Sequence, residues 1–238
     1  FKVITSAALL ELGVSPTREY PFAAARRRLH IKHLEKLGKG APRTDMGEAL
    51  ADSNNGFFAR MADRKLARED LQAISRRFGF NQVVPFPLKT EASTARVPRN
   101  RLERARMAAG FWHTRLTPLH GALIAAAVAG DGSLPRPRLV GRLHSPDGRI
   151  IEAPEQAPFA TAMTPKQAKA LRRMMAKTPR SGTLRRAWRK WPKALRHIAV
   201  GGKTGSLAKR TPYTYYTWFV GFAPVDKPEI AVAVMVGN

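Results

Sequence analysis

Three β-branched and aromatic stretches close the chain: HIAVGGKTGS from His197 to Ser206, YTYYTWFVGFAP from Tyr213 to Pro224, and EIAVAVMVG from Glu229 to Gly237. Only short turn segments separate them. A parallel pair needs a crossover of a dozen or more residues, so strands this close in sequence must pair antiparallel. Helical spacing dominates the text before them. Helices first and strands gathered at the end imply an α+β architecture, an antiparallel sheet flanked by helices, rather than a repeating βαβ chain.

The helical text can be divided from its punctuation. Residues 2–12 carry Val3, Ala7, Leu9 and Leu10 at helical spacings, and Gly13 and Pro16 end the run. Between Pro42 and Gly79 the pattern predicts three short helices with a polar turn at Ser53. The Pro-rich stretch from Phe80 to Asn100 has no period and reads as a long surface loop. Leu116–Ala129 reads as a helix, and the text around Pro146, Asp147 and Gly148 reads as a hairpin. Thr164 followed by Pro165 marks the start of another helix. With 238 residues the chain can form one domain over residues 1–238, with a helical subdomain over roughly 20–130 and sheet strands over roughly 196–238. It begins at Phe1 and ends inside an apolar alternating run, so it is expected to be a piece of a longer protein, truncated at the N-terminus of its fold.

Charge narrows the partners without choosing one. Forty-two Lys and Arg against 17 Asp and Glu give a formal charge of +25, a field that attracts polyanions: nucleic acid, anionic lipid headgroups or acidic wall polymers. The same residues also simply solvate helix faces. No nucleic-acid recognition motif accompanies the charge, which is spread along the chain. There is no cysteine, which excludes disulfides and thiolate metal sites. The longest apolar stretch, Leu116–Gly130, is shorter than the ~20 residues of a membrane span and contains Pro118 and His120. Any anchor is expected outside this chain.

Three short motifs gain meaning from their order: Lys2 at the start of the first helix, SNN at Ser53–Asn55 in a turn, and KTGS at Lys203–Ser206 on a strand. Together they resemble the serine transpeptidase and β-lactamase superfamily, whose signature runs S-x-x-K, S-x-N, K-T-G. The wording around them is similar too. FKVITSAALLE resembles the continuation of an S-T-F-K helix, RLTPLHGALIAAAVAGDGSLPRPRLV resembles a transpeptidase stretch, and GGKTGS followed by TWFVGFAP resembles the K-T-G strand with its neighbour. The chain thereby resembles the penicillin-binding protein transpeptidase domains, and FKVIT leans toward the monofunctional, membrane-anchored class.

That resemblance implies a peptidoglycan D,D-transpeptidase that cross-links stem peptides ending in D-Ala-D-Ala through a serine acyl-enzyme and binds β-lactams covalently. It implies no cofactor and no metal, a place in the cell envelope on the extracytoplasmic side of the membrane, and a glycosyltransferase partner. The nucleophilic serine is expected three residues before Lys2. Lys2 is the implied general base, since an amine buried beside other cations has a depressed pKa. Ser53 would relay a proton to the departing nitrogen, and Asn55 would hydrogen-bond the substrate amide and Lys2. Lys203 would tune the local field and attract the terminal carboxylate, which Thr204 and the Ser206 hydroxyl would bind. Gly205 would let the strand backbone approach the substrate, and the Ser206 N–H would serve as an oxyanion donor.

Other features compete for attention. SLAK, Ser206–Lys209, also spells S-x-x-K, but on strand-like text where i and i+3 face opposite sides. His30 and His33 lack a third metal ligand nearby. His113 and His120 read as packing residues, with GFWHTRLT a candidate lining of the cleft. Trp188 and Trp191 lie in a basic amphipathic stretch suited to core packing, a membrane or a nucleic acid. Ser181–Thr183 resembles a structural turn of the family. Three further functional readings stand beside the transpeptidase: a catalytically dead scaffold or β-lactam sensor, a serine β-lactamase, for which no E-x-x-x-N element is found, and a nucleic-acid binder.

Overall fold

The computed structural model describes residues 1–25, 28–152, 154 and 156–238. Helix α1, Lys2–Glu11, is buried along its length from Lys2 to Leu9, so both its apolar residues and its small polar ones face protein. Gly13, at φ +75°, takes the left-handed turn that ends it. The three expected short helices follow: α2, Met46–Ala51; α3, Asn55–Lys65; and α4, Arg68–Arg77. Side chains satisfy their first turns. The Asp45 carboxylate accepts from the Glu48 N–H at 2.7 Å, and the Asn54 side chain accepts from the Phe57 N–H at 3.0 Å.

Helix α5, Arg101–Ala108, was not expected from the sequence; α6 covers Pro118–Ala129 and α7 covers Pro165–Met175. Thr164 caps α7 in a reciprocal box with Gln167, as its position before Pro165 predicts. Two short helices, α8 at Lys177–Arg180 and α9 at Arg185–Arg189, lead to the sheet. The basic stretch thus forms only one short helix before Pro192, and Trp188 and Trp191 stack on each other with centroids 5.2 Å apart.

The sheet is the expected antiparallel set: β1, Gly201–Arg210; β2, Tyr213–Ala223; and β3, Ile230–Gly237, with β2 in the centre. Lys203 lies opposite Val220 and Gly205 opposite Trp218. Helix α6 is apolar on every side and packs across β2 and β3. It comes close to the sheet at Gly121, where a Cβ would sit 3.2 Å from both Ala233 Cβ and Val220 Cγ1. Helix α7 lies against α1, α2, α6 and β1. Leu9, Leu50, Phe57, Phe58, Leu71, Phe78, Met107, Leu171 and Phe222 are fully buried in one continuous core, each large side chain contributing about 1.5–3 kcal/mol of transfer free energy.

The Phe80–Asn100 loop is largely irregular, but Thr94–Ala95 pairs with Thr114–Arg115. The Pro146–Gly148 hairpin forms with Arg142 opposite Glu152 and Gly148 at φ +82°. The SLAK segment is extended backbone on β1, with Ser206 opposite Thr217, so it has no helical Ser–Lys geometry; the Lys209 side chain lies outside the described ones. Among the described residues no helix is long and apolar enough to cross a membrane.

Candidate active site

The first turn of α1 places Lys2 deep in the molecule, 8% exposed. Its Nζ donates to Asn55 Oδ1 at 2.7 Å and to the Ala109 carbonyl at 2.5 Å. Burial first, and the Lys203 charge second, hold this ammonium well below the ordinary lysine range. A neutral amine has two hydrogens and one lone pair. Two donations use the hydrogens, so the lone pair is directed away from Asn55 and Ala109 and is available to take a proton.

Two chain reversals set up those acceptors. After α5 the chain turns at Gly110, φ +87°, whose hypothetical Cβ would lie 3.7 Å from Lys2 Nζ. This turn aims the Ala109 carbonyl at Lys2, while the neighbouring Ala108 carbonyl accepts from Thr5 Oγ1 at 2.8 Å. After α2 the chain turns at Ser53, whose φ of +57° is uncommon for a residue with a side chain and so marks a conformation imposed by its surroundings. The Ser53 N–H donates to the Leu50 carbonyl at 3.2 Å and the Asn54 N–H to Ala49 at 2.8 Å, locking the turn. Asn54 then caps α3, and Asn55 becomes that helix's first residue, its amide oxygen on Lys2.

From the other side β1 brings Lys203, 7% exposed, with its Nζ donating to the Thr204 carbonyl at 2.7 Å. Burial pulls Lys203 down to about 8. Gly205 is opposite Trp218, where an added Cβ would lie 3.3 Å from Trp218 Cβ. Thr204 is half-buried and Ser206 exposed. In the described sheet β1 pairs with β2 alone, so it is an edge strand.

The structure therefore joins Lys2 to Asn55 by a direct hydrogen bond and to Lys203 through the field. Among the described residues the Ser53 hydroxyl makes no hydrogen bond to Lys2 or to Lys203. Sequence reasoning missed the carbonyl of Ala109, which no residue type announces. It also read Ser181–Thr183 as a structural turn, whereas Thr183 Oγ1 lies 2.6 Å from Thr204 Oγ1.

The histidines make local hydrogen bonds. His120 is fully buried, its Nε2 donates to the Phe78 carbonyl at 2.6 Å, and burial lowers its pKa. The His33 Nδ1 accepts from the His30 N–H at 2.9 Å, closing a local cap. His113, at φ +71°, and Trp112 both donate to Glu103 Oε2 at 2.7 Å, and Arg106 donates to its other oxygen at 2.6 Å. The hydrogen bonds from His113 first, then Trp112, hold the Glu103 carboxyl at about 2.

A buried amine, an amide, a hydroxyl in a left-handed turn and a second buried lysine on an edge strand form a constellation suited to acyl transfer. Residues 1–238 match the family described as the penicillin-binding protein transpeptidase domain. The peptidoglycan D,D-transpeptidase PbpA of Mycobacterium tuberculosis is 32% identical over 249 aligned positions, covering all of this chain and 49% of that protein. Stage V sporulation protein D of Bacillus subtilis is 28% identical, again covering all of this chain and 37% of the relative. The imipenem acyl-enzyme complex of penicillin-binding protein A from M. tuberculosis superposes with a TM-score of 0.77 at 29% identity, over 99% of this chain and 53% of the other. The chain spans about half the length of these relatives or less.

Proposed function

Because the chain belongs to the penicillin-binding protein transpeptidase domain family, we propose that its parent protein is a peptidoglycan D,D-transpeptidase of the cell envelope, acylated by stem peptides and by β-lactams. The observation that carries this reading is the buried Lys2 amine, held by Asn55 and Ala109 with its lone pair free and its pKa lowered. In the reading the nucleophile is a serine three positions before Lys2 in the parent chain, one helical turn away on the same face.

Lys2 takes the serine proton as the oxygen attacks the penultimate D-Ala carbonyl. The Ser53 hydroxyl passes a proton to the departing D-Ala nitrogen as the C–N bond breaks and takes one back from the Lys2 ammonium, leaving an ester on the enzyme and both groups ready for the second step. An amine of a second stem peptide then attacks that ester, forming the cross-link and returning the proton to the serine. The donor peptide lies along the edge of β1 away from β2. Its terminal carboxylate meets Thr204 and Ser206 in the field of Lys203, and the Ser206 N–H stabilises the oxyanion. Gly205 keeps that edge low, and Asn55 holds the substrate amide as well as Lys2.

The parent protein incubated with a fluorescent penicillin is expected to carry one covalent label on the peptide that precedes Lys2. Lys2→Met should reduce labelling by about a hundredfold or more, the usual range for loss of a general base. Folded but unlabelled wild-type protein would falsify the enzyme and leave a binding module. Rapid multiple turnover of nitrocefin would instead make it a β-lactamase.

A further inference from the structure

The turn Ser181-Gly182-Thr183 touches both halves of the site although neither motif contains it. On one side it is fastened to α2, the helix that leads into Ser53. The Thr183 N–H donates to the Ala51 carbonyl at 3.0 Å, and Ser181 Oγ donates to Glu48 Oε2 at 3.2 Å. Gly182 lies so close to Ala51 that a Cβ would come within 2.3 Å of its carbonyl oxygen. From below, Lys177 clamps the same helix through Glu48 at 2.9 Å and Asp45 at 3.6 Å. On the other side the Thr183 hydroxyl reaches β1 and pairs with Thr204 at 2.6 Å.

A hydroxyl has one proton and two lone pairs. If Thr204 spends its proton on Thr183, it has none for a ligand. If Thr183 donates to Thr204, the Thr204 proton points elsewhere and its O–H is polarised into a better donor. A carboxylate beside Thr204 favours the second arrangement, because it can only accept. The Thr183 backbone is held in place by its N–H bond to Ala51, which keeps the side chain within reach of Thr204.

We propose that Thr183 is a positioning residue that turns the Thr204 hydroxyl proton toward the substrate's terminal carboxylate and fixes the spacing between the Ser53 turn and strand β1. The proposal rests on the reading above, in which Thr204 binds that carboxylate. It assigns to the 181–183 turn a part in recognising a carboxylate-terminated donor, distinct from proton transfer at Lys2.

The test measures second-order acylation of the parent protein by penicillin G and by its methyl ester, each in competition with a fluorescent penicillin. Thr183→Val is expected to slow the free acid about tenfold, the upper end for losing the one hydroxyl–hydroxyl hydrogen bond that orients the Thr204 proton, with the methyl ester unchanged. Thr183→Ser should restore the acid rate to within about threefold, since it keeps the hydroxyl. Thr183→Val combined with Thr204→Val should be no slower than Thr204→Val alone. Equal slowing of acid and ester, or losses that multiply in the double variant, would overturn the proposal. Should Thr183→Val fail to fold, Thr183→Ala removes the same hydroxyl and is read in its place. If wild-type protein takes no label at all, the enzymatic reading has failed. The variants are then compared by equilibrium binding of a D-Ala-D-Ala peptide and its C-terminal amide, where only the acid should lose affinity.

Discussion

Lys2 and Asn55, 53 residues apart in the chain, are joined by a 2.7 Å hydrogen bond in which the amine donates to the amide oxygen. The bond holds the first turn of α1 against the first turn of α3. The acceptor is an uncharged amide, and that matters because burial and Lys203 already disfavour the ammonium. Replacing the amide by a carboxylate of the same shape reverses the balance. In Asn55→Asp an adjacent negative charge stabilises the protonated amine and raises its pKa by about 1–3 units. The acidic limb of the pH profile for penicillin acylation should move up by the same amount. An unmoved limb would remove Lys2 from the role of base.

Lys203 gives a second, thermodynamic handle. Its folded-state value of about 8 lies below the 10.5 of an exposed lysine. Between those values the unfolded chain holds more protons than the folded one, so stability rises with pH. Below 8 the full cost of a buried ammonium is present; above 10.5 it is gone. Relative to Lys203→Met, the wild type should gain about 1.4 kcal/mol per pH unit across that window. Lys2, which Lys203 depresses, adds to the difference with the same sign. Urea midpoints at pH 7, 9 and 10.5 for both proteins check it, and parallel curves would count against a buried, titrating Lys203.

How much of this was legible in the sequence depends on whether a residue type or a backbone atom does the work. Lys2, Asn55 and Lys203 were legible because they stand in motifs whose order resembles a family signature, and the structure brings them together. The α+β division was legible because three β-branched and aromatic stretches follow one another at the end of the chain with only short turn segments between them. Helix α5 was not, because Arg101, Glu103, Arg104 and Arg106 fill half of it and only Ala105, Met107 and Ala108 are buried. Yet α5 leads to the Ala109 carbonyl that receives Lys2. Thr183 was legible as a turn residue but not as a partner of Thr204, since that contact depends on how α2 and β1 are docked.

Glu103 ties α5 to the segment that follows it by accepting from His113, Trp112 and Arg106. Its carboxyl is depressed to about 2 from 4.5, so its contribution is complete above pH 4.5 and is lost as pH falls through about 2. Because the side chain is 29% exposed, the contribution is screened to about 1 kcal/mol. Glu103→Gln should therefore lower the melting temperature at pH 7 and lose its difference from wild type near pH 2. A constant difference across that range would show that charge is not what holds the three donors.

Gly56 sits one residue beyond Asn55, in the first turn of α3, and there the helix rests directly on backbone. A Cβ at this position would lie 1.9 Å from the Ala23 carbonyl oxygen and 3.0 Å from its carbon. That oxygen already accepts from the Ala25 N–H at 2.7 Å, so it cannot swing aside without breaking a bond. Gly56→Ala must instead push the start of α3 outward, carrying Asn55 away from Lys2. The expected cost is about 1–3 kcal/mol of stability, together with a loss of acylation larger than the stability loss explains. Gly141 supplies the control: nothing lies within 4 Å of its hypothetical Cβ, and Gly141→Ala should change stability by no more than about 0.5 kcal/mol. Thermal melts and penicillin labelling of the two variants separate the readings. If both behave alike, the close approach at Ala23 does not set the position of Asn55.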